Sequence, residues 1–215
     1  MSGGGKTAKR PYHAPNRAAA AARTRYAILA GAKSEFEQSG WSATIRNVAE
    51  GAGVSAKTVE ALFGTKASLL QAVVDFSIRG DVRPIPIDRR QSVADMEAVL
   101  EAATMLDLHA AQVRGISERT ARIAWVIEQA AASDANVEEL WRRMTTNRRT
   151  GVRWATKTLL AKRDADRSLS IREVEETFWI ALDWGTYRTL AEHRRLSPDA
   201  FQAWLRRYYR RMLLR

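Results

Sequence analysis

TIRNVAEGAGVSAKTVEALFGTK, residues 44–66, is the stretch on which the reading of the chain turns. With Ile45 as the first position of a helix-turn-helix, the apolar or small residues that such a unit needs fall on Val48, Ala49, Ala52, Val54, Val59 and Leu62. Ala49 must be small because the second helix crosses close to it, and Gly53 accepts the left-handed backbone of a sharp turn. Ser55, Ala56, Lys57, Thr58, Glu60 and Ala61 are left to face outward at the start of the second helix, where base edges in a major groove would lie. The plain alternative is a helical hairpin inside a core, and the basic surroundings speak against it.

Working outward, helix-period patterns recur to the C-terminus, and no alternating β-branched run marks a strand, so the chain is expected to be all-α. Ala18 to Ser39 carries Ala22, Tyr26, Leu29, Ala32 and Phe36 on one face and ends at Gly40. RPIPI, inside the break from Gly80 to Asp88, forbids helix and suggests a domain boundary. Further helices are expected over Gln91–Gly115 as one or two pieces, from a Ser117–Glu118 cap to about Ala132, from an Asp134 cap to Ala161, and over Ile171–Glu192. On the last of these, Val174, Phe178, Ala181, Leu182 and Gly185 share a stripe. Ser197, Pro198 and Asp199 open the final helix, where Phe201, Trp204, Leu205, Tyr208, Tyr209, Met212 and Leu213 form an apolar stripe backed by arginines. The expected organisation is a disordered basic arm at 1–17, a helix-turn-helix DNA-binding domain at 18–80, and a helical effector-binding and dimerisation domain at 81–215.

Charge supports that division. The 215 residues carry a net +11, and residues 1–80 hold 11 Lys/Arg against 5 Asp/Glu while residues 81–200 balance at 19 and 19. A basic N-terminal third points to a polyanion, with nucleic acid ahead of an acidic membrane surface. With no cysteine and three scattered histidines, disulfides, thiolate zinc sites and a histidine metal cluster are not expected, and no cofactor is. No stretch approaches the roughly 18 uninterrupted apolar residues of a membrane span, so a cytoplasmic protein is expected. An enzyme is not expected either, since the chain has no phosphate loop, paired-glycine fingerprint or serine elbow.

Residues 23–76, with Phe36, Gly40–Trp41, T-I-R-x-V-A from Thr44, G-V-S from Gly53 and F-x-x-K-x-x-L-L from Phe63, resemble the DNA-binding domain of the tetracycline-repressor (TetR) family. The resemblance implies three N-terminal helices, a fourth joining them to a helical effector-binding domain, and a homodimer made by the last two helices, here 171–192 and 198–213. Such proteins are usually repressors released from double-stranded operators by a small ligand. By the same resemblance Thr44 would cap the second helix and touch phosphate, and Arg46 would lie at the DNA backbone. Ser55, Lys57 and Thr58 would start the recognition helix, Lys57, Thr58 and Ala61 would bear on sequence, and Lys66 would grip phosphate. Where the family typically has an aromatic and then a Tyr or His, this chain has Glu60, Ala61 and Leu62. Glu60 is open to three readings: an exposed partner of Lys57, an acceptor for cytosine N4, or an orienting group for Lys57 or Arg46. Lys6, Lys9, Arg10 and Arg17 of the arm would contact the minor groove or backbone, or simply lie in solvent.

In the second half Met105, His109, Trp125, Trp154, Phe178 and Trp179 are candidates for lining a cavity that holds a small apolar effector, each also readable as plain core. Trp141 and Trp184 suit a subunit seam. The rival to a DNA-binding regulator is a membrane-associated protein that lays its basic amphipathic C-terminal helix on a lipid surface.

Overall fold

The computed structural model describes residues 14–81, 83 and 85–214. Among them are ten α-helices and no strand: α1 (Ala14–Ser39), α2 (Ile45–Gly51), α3 (Ala56–Phe63), α4 (Lys66–Arg79), α5 (Gln91–Ala98), α6 (Ala102–Ala131), α7 (Ala135–Leu160), α8 (Ile171–Ala181), α9 (Trp184–Tyr187) and α10 (Pro198–Leu213). The all-α expectation holds. Helix α1 begins four residues inside the segment read as a disordered arm, and the rest of that arm lies outside the described residues.

Two apolar clusters organise the chain. The first joins Ile28, Leu29, Ala32 and Phe36 of α1, Val48 and Ala49 of α2, Val59 and Phe63 of α3 and Leu69, Leu70, Val73 and Val74 of α4 to Ile123, Ile127, Leu140 and Met144 of α6 and α7. Each large side chain so buried is worth about 1.5–3 kcal/mol against exposure, so α2 and α3 are fixed by core side chains more than by their short backbones. Ala22 and Tyr26 are exposed instead of buried, because the first turns of α1 project past this core, and Ile28 takes the inward position. The second cluster packs Met96, Met105, Leu106 and Val113 of α5 and α6 with Val174 and Phe178 of α8 and Phe201, Leu205, Tyr209 and Leu213 of α10.

Three helix limits differ from the sequence reading. Ser117 caps nothing: α6 runs straight through it, and the residue is buried at mid-helix. Gly115 does not end a helix, because its missing Cβ leaves room for the Arg119 side chain, whose Nη1 would lie 3.3 Å from a Cβ there. The expected 171–192 helix breaks at Leu182, Asp183 caps the short α9, and a π-helical run follows at Arg188–His193; Gly185 is exposed and off the stripe. Asp134 and Ser197 cap α7 and α10 as expected, each accepting backbone N–H bonds.

The stripe of α10 is folded into its own chain. Phe201, Leu205, Tyr209 and Leu213 are at most 1% exposed, and Arg206 and Arg210 on its back reach Asp107 of α6. A helix lying on lipid needs that apolar face free. No single helix among the described residues is long and apolar enough to cross a membrane.

Candidate DNA-binding surface

Helices α2, α3 and α4 each start on a hydroxyl. Thr44 accepts the Asn47 N–H at 3.1 Å, Ser55 the Thr58 N–H at 3.1 Å, and Thr65 the Ser68 N–H at 3.1 Å, so each caps a set of otherwise orphaned donors. Between α2 and α3 the chain reverses at Gly53, whose φ of +66° is open to glycine at little cost. Val48 and Val59 are buried in the wedge at 1% exposure, with Ala52 and Val54 packed beside them. Leu62 does not fill the wedge. It is 46% exposed, and Phe63, one position on, is the inward residue. Ala56 also turns partly toward the core, not outward.

What remains on the outer face of α2 and α3 is polar and largely unspoken for. Thr44, Arg46, Ser55, Lys57, Glu60 and Ala61 are exposed, and Thr58 is half-buried with its hydroxyl 2.8 Å from that of Ser55. Among the described residues Arg46, Lys57 and Glu60 form no ion pair, so the Glu60–Lys57 partnership is not made in this structure. Lys66, at the start of α4, is engaged from within: its Nζ donates to the Trp41 carbonyl at 2.7 Å and lies 3.9 Å from the centroid of that indole. Trp41 in turn stacks on Phe36, with ring centroids 6.2 Å apart, so the ammonium is fixed to α1 and the α1–α2 connection. The Thr65 cap and the outward Leu62 were not singled out from sequence, although a threonine directly before a helical apolar run is a legible cap.

The six effector candidates separate. Met105 and Phe178 are fully buried, and His109 is 3% exposed with Nδ1 2.8 Å from the Tyr209 hydroxyl and its ring edge-on to Phe178. Burial lowers the His109 pKa to about 4, so the ring is neutral in the folded chain. Trp154 tilts against His109 at 6.5 Å and donates its indole N–H to Glu97. Trp125 is 43% exposed beneath Arg188, and Trp179 lies under Arg148. Met105, His109, Trp154 and Phe178 therefore share one neighbourhood, Trp179 packs against the same cluster, and Trp125 stands apart. Trp141 and Trp184, expected at a subunit seam, pack on each other at 6.0 Å within the chain.

With this geometry in place, comparison with known proteins supplies the class. Residues 28–73 match the model of the bacterial regulatory proteins of the tetR family, so the N-terminal unit resembles the DNA-binding domain of those transcriptional regulators. Two solved structures share its fold. One, from Rhodococcus sp., is described as a TetR-family transcriptional regulator and is similar at a TM-score of 0.65 and 17% identity, over 89% of this chain and 98% of that one. The other, a transcriptional regulator from Rhodococcus sp. Rha1, has a TM-score of 0.59 and 17% identity, over 87% of this chain and 95% of that one. No curated protein matches the sequence.

Proposed function

We propose that the protein is a cytoplasmic, homodimeric repressor that reads a palindromic operator through α2 and α3 and leaves it when a small ligand binds the helical half. The observation that carries the DNA contact is the outward face of the helix-turn-helix, where Arg46 and Lys57 stand exposed with no acidic partner among the described residues. Cations left free at such a surface are available to phosphates, while Thr58, Ala61 and Glu60 sit where base edges would be reached. Dimerisation through α8 and α10 is favoured by the apolar groups those helices leave in water, Ile180 at 48% and Met212 at 47% exposure. Repression and ligand response are carried over from the habit of the family.

Selection of bound duplexes from random-sequence DNA by the full-length protein tests the reading. The expected product is a palindrome with half-sites about one helical turn apart. Enrichment of no sequence would overturn the DNA contact, and a monomer by sedimentation at micromolar concentration would overturn the dimer. On the selected site, Glu60→Gln should change the base preference if Glu60 accepts from cytosine, and only the overall affinity if it orients a neighbouring cation.

A further inference from the structure

Two clefts open on either side of Arg119. The first, about 380 Å³, lies between α1 and α4, and its charged groups Lys33 and Glu37 already pair with each other. The second, about 340 Å³, lies between the end of α4, the following linker, α5 and α6. Ile78, Ile87, Leu108 and Ile116 give it an apolar wall, and Leu108 stays 37% exposed there.

Three guanidiniums line this second cleft, and they are not equivalent. Arg90 spends its donors on Asp81 and on the carbonyls of Arg79 and Ile85. Arg119 donates from Nε to the Ser77 carbonyl at 2.9 Å and from Nη2 to that of Ile78 at 3.3 Å, which leaves Nη1 without an acceptor among the described residues. A Cβ on Gly80 would meet its Cζ and Nε at 3.1 Å, so Gly80 and Gly115 keep open the lane through which it reaches α4. The Nε of Arg79 is buried and finds no partner. The acids nearby leave this Nε without an acceptor: Asp95 takes the Gln91 amide at 2.7 Å, and Asp75, one turn earlier, attracts Arg79 through space without a hydrogen bond to it. Buried donors of this kind are costly unless an acceptor arrives, and a carboxylate matches the planar fork of a guanidinium.

We propose that this cleft binds an amphipathic small molecule bearing one carboxylate, its apolar body on Ile78, Ile87, Leu108 and Ile116 and its carboxylate between Arg79 and Arg119. Arg119 also holds the last carbonyls of α4, and the first turn of α4 carries Lys66 beside the recognition helix, so a ligand that draws on Arg119 acts on the element joining the two halves. Only this coupling rests on the ligand-responsive reading above; binding does not.

Calorimetric titration of the full-length protein with decanoate and phenylbutyrate, and with decanol and decylamine as neutral and cationic controls, tests the cleft. Both carboxylates should bind, the controls about tenfold more weakly or worse, and Arg79→Gln should weaken the carboxylates about tenfold, the equivalent of one charge-assisted hydrogen bond. Leu108→Glu, which places an acid at the mouth, should abolish binding while leaving the circular dichroism spectrum intact. The site is refuted if neither carboxylate binds, if decanol binds as well as decanoate, or if Arg79→Gln leaves decanoate affinity unchanged. Decanoate should also lower affinity for the selected duplex; binding without that loss refutes the coupling, whereas failure to select any duplex counts against the DNA reading and leaves the cleft standing.

Discussion

The outer face of α2 and α3 and two inward-turned cations of the helical half use the same residue types in opposite ways. On the first, Arg46, Lys57 and Glu60 stand in water and form no ion pair among the described residues. In the second, Lys162 is 4% exposed and donates to the carbonyls of Met96, Glu97 and Val99, and Arg148 ties Asp183 and the Trp179 carbonyl together. Charge that closes on its own chain holds structure. Charge left open, as on α2 and α3, is available to something else.

Lys162→Ala gives the sharpest test of that contrast. It strips three carbonyls at the end of α5 of a charged donor and should cost about 3 kcal/mol in chemical denaturation, while an exposed cation such as Lys57 replaced by Ala should move the midpoint hardly at all. Equal effects would erase the distinction.

His109 extends it to pH. Its folded pKa of about 4 lies below the ordinary 6.5, so the unfolded chain takes up a proton first as pH falls. Stability from this residue is therefore full above pH 6.5 and should drain away toward pH 4, by up to about 3 kcal/mol at 1.36 kcal/mol per pKa unit. His109→Phe should flatten the slope of denaturant midpoint against pH between those values; an unchanged slope would show that other groups dominate it.

Smaller effects are expected in the N-terminal unit. Gly53→Ala meets no atom within 4 Å, so only the positive φ resists it, at about 1 kcal/mol of thermal stability. Arg46→Ala should leave stability alone and reduce the slope of log affinity against log salt by about one, as for the loss of one phosphate contact. A salt slope equal to that of the parent protein would remove Arg46 from the DNA backbone.

The helix-turn-helix was legible because its constraints are local: a positive φ asks for glycine at 53, and helix starts ask for Thr44 and Ser55. Ala56 turned partly inward, and the larger misplacement, Leu62 for Phe63, arose because both fall at allowed spacings from Val59, and only the contact with the rest of the fold chooses between them. Gly115 and Ser117 misled for a related reason, since a glycine that suits a helix break locally also suits a helix that must pass close to an arginine, and a serine that suits a cap can equally be buried at mid-helix. The effector candidates were least legible. Met105 and Phe178 are fully buried, and an aromatic or thioether in a helical half reads the same whether it lines a cavity or fills one. The cleft beside Arg119 depends on arginines and apolar groups from four segments, and no periodicity brings those together.

One consequence follows from Lys66 and its seat on Trp41. A lysine free in water surrenders up to about 2 kcal/mol of rotamer freedom when a contact immobilises it. Here the Trp41 carbonyl and indole have already taken that freedom during folding, while one donor of the ammonium is in use and the side chain remains only half-buried. An anion arriving at this corner would meet a cation whose entropy of fixation has been spent in advance, so Trp41→Ala should weaken such an encounter without removing a single charge.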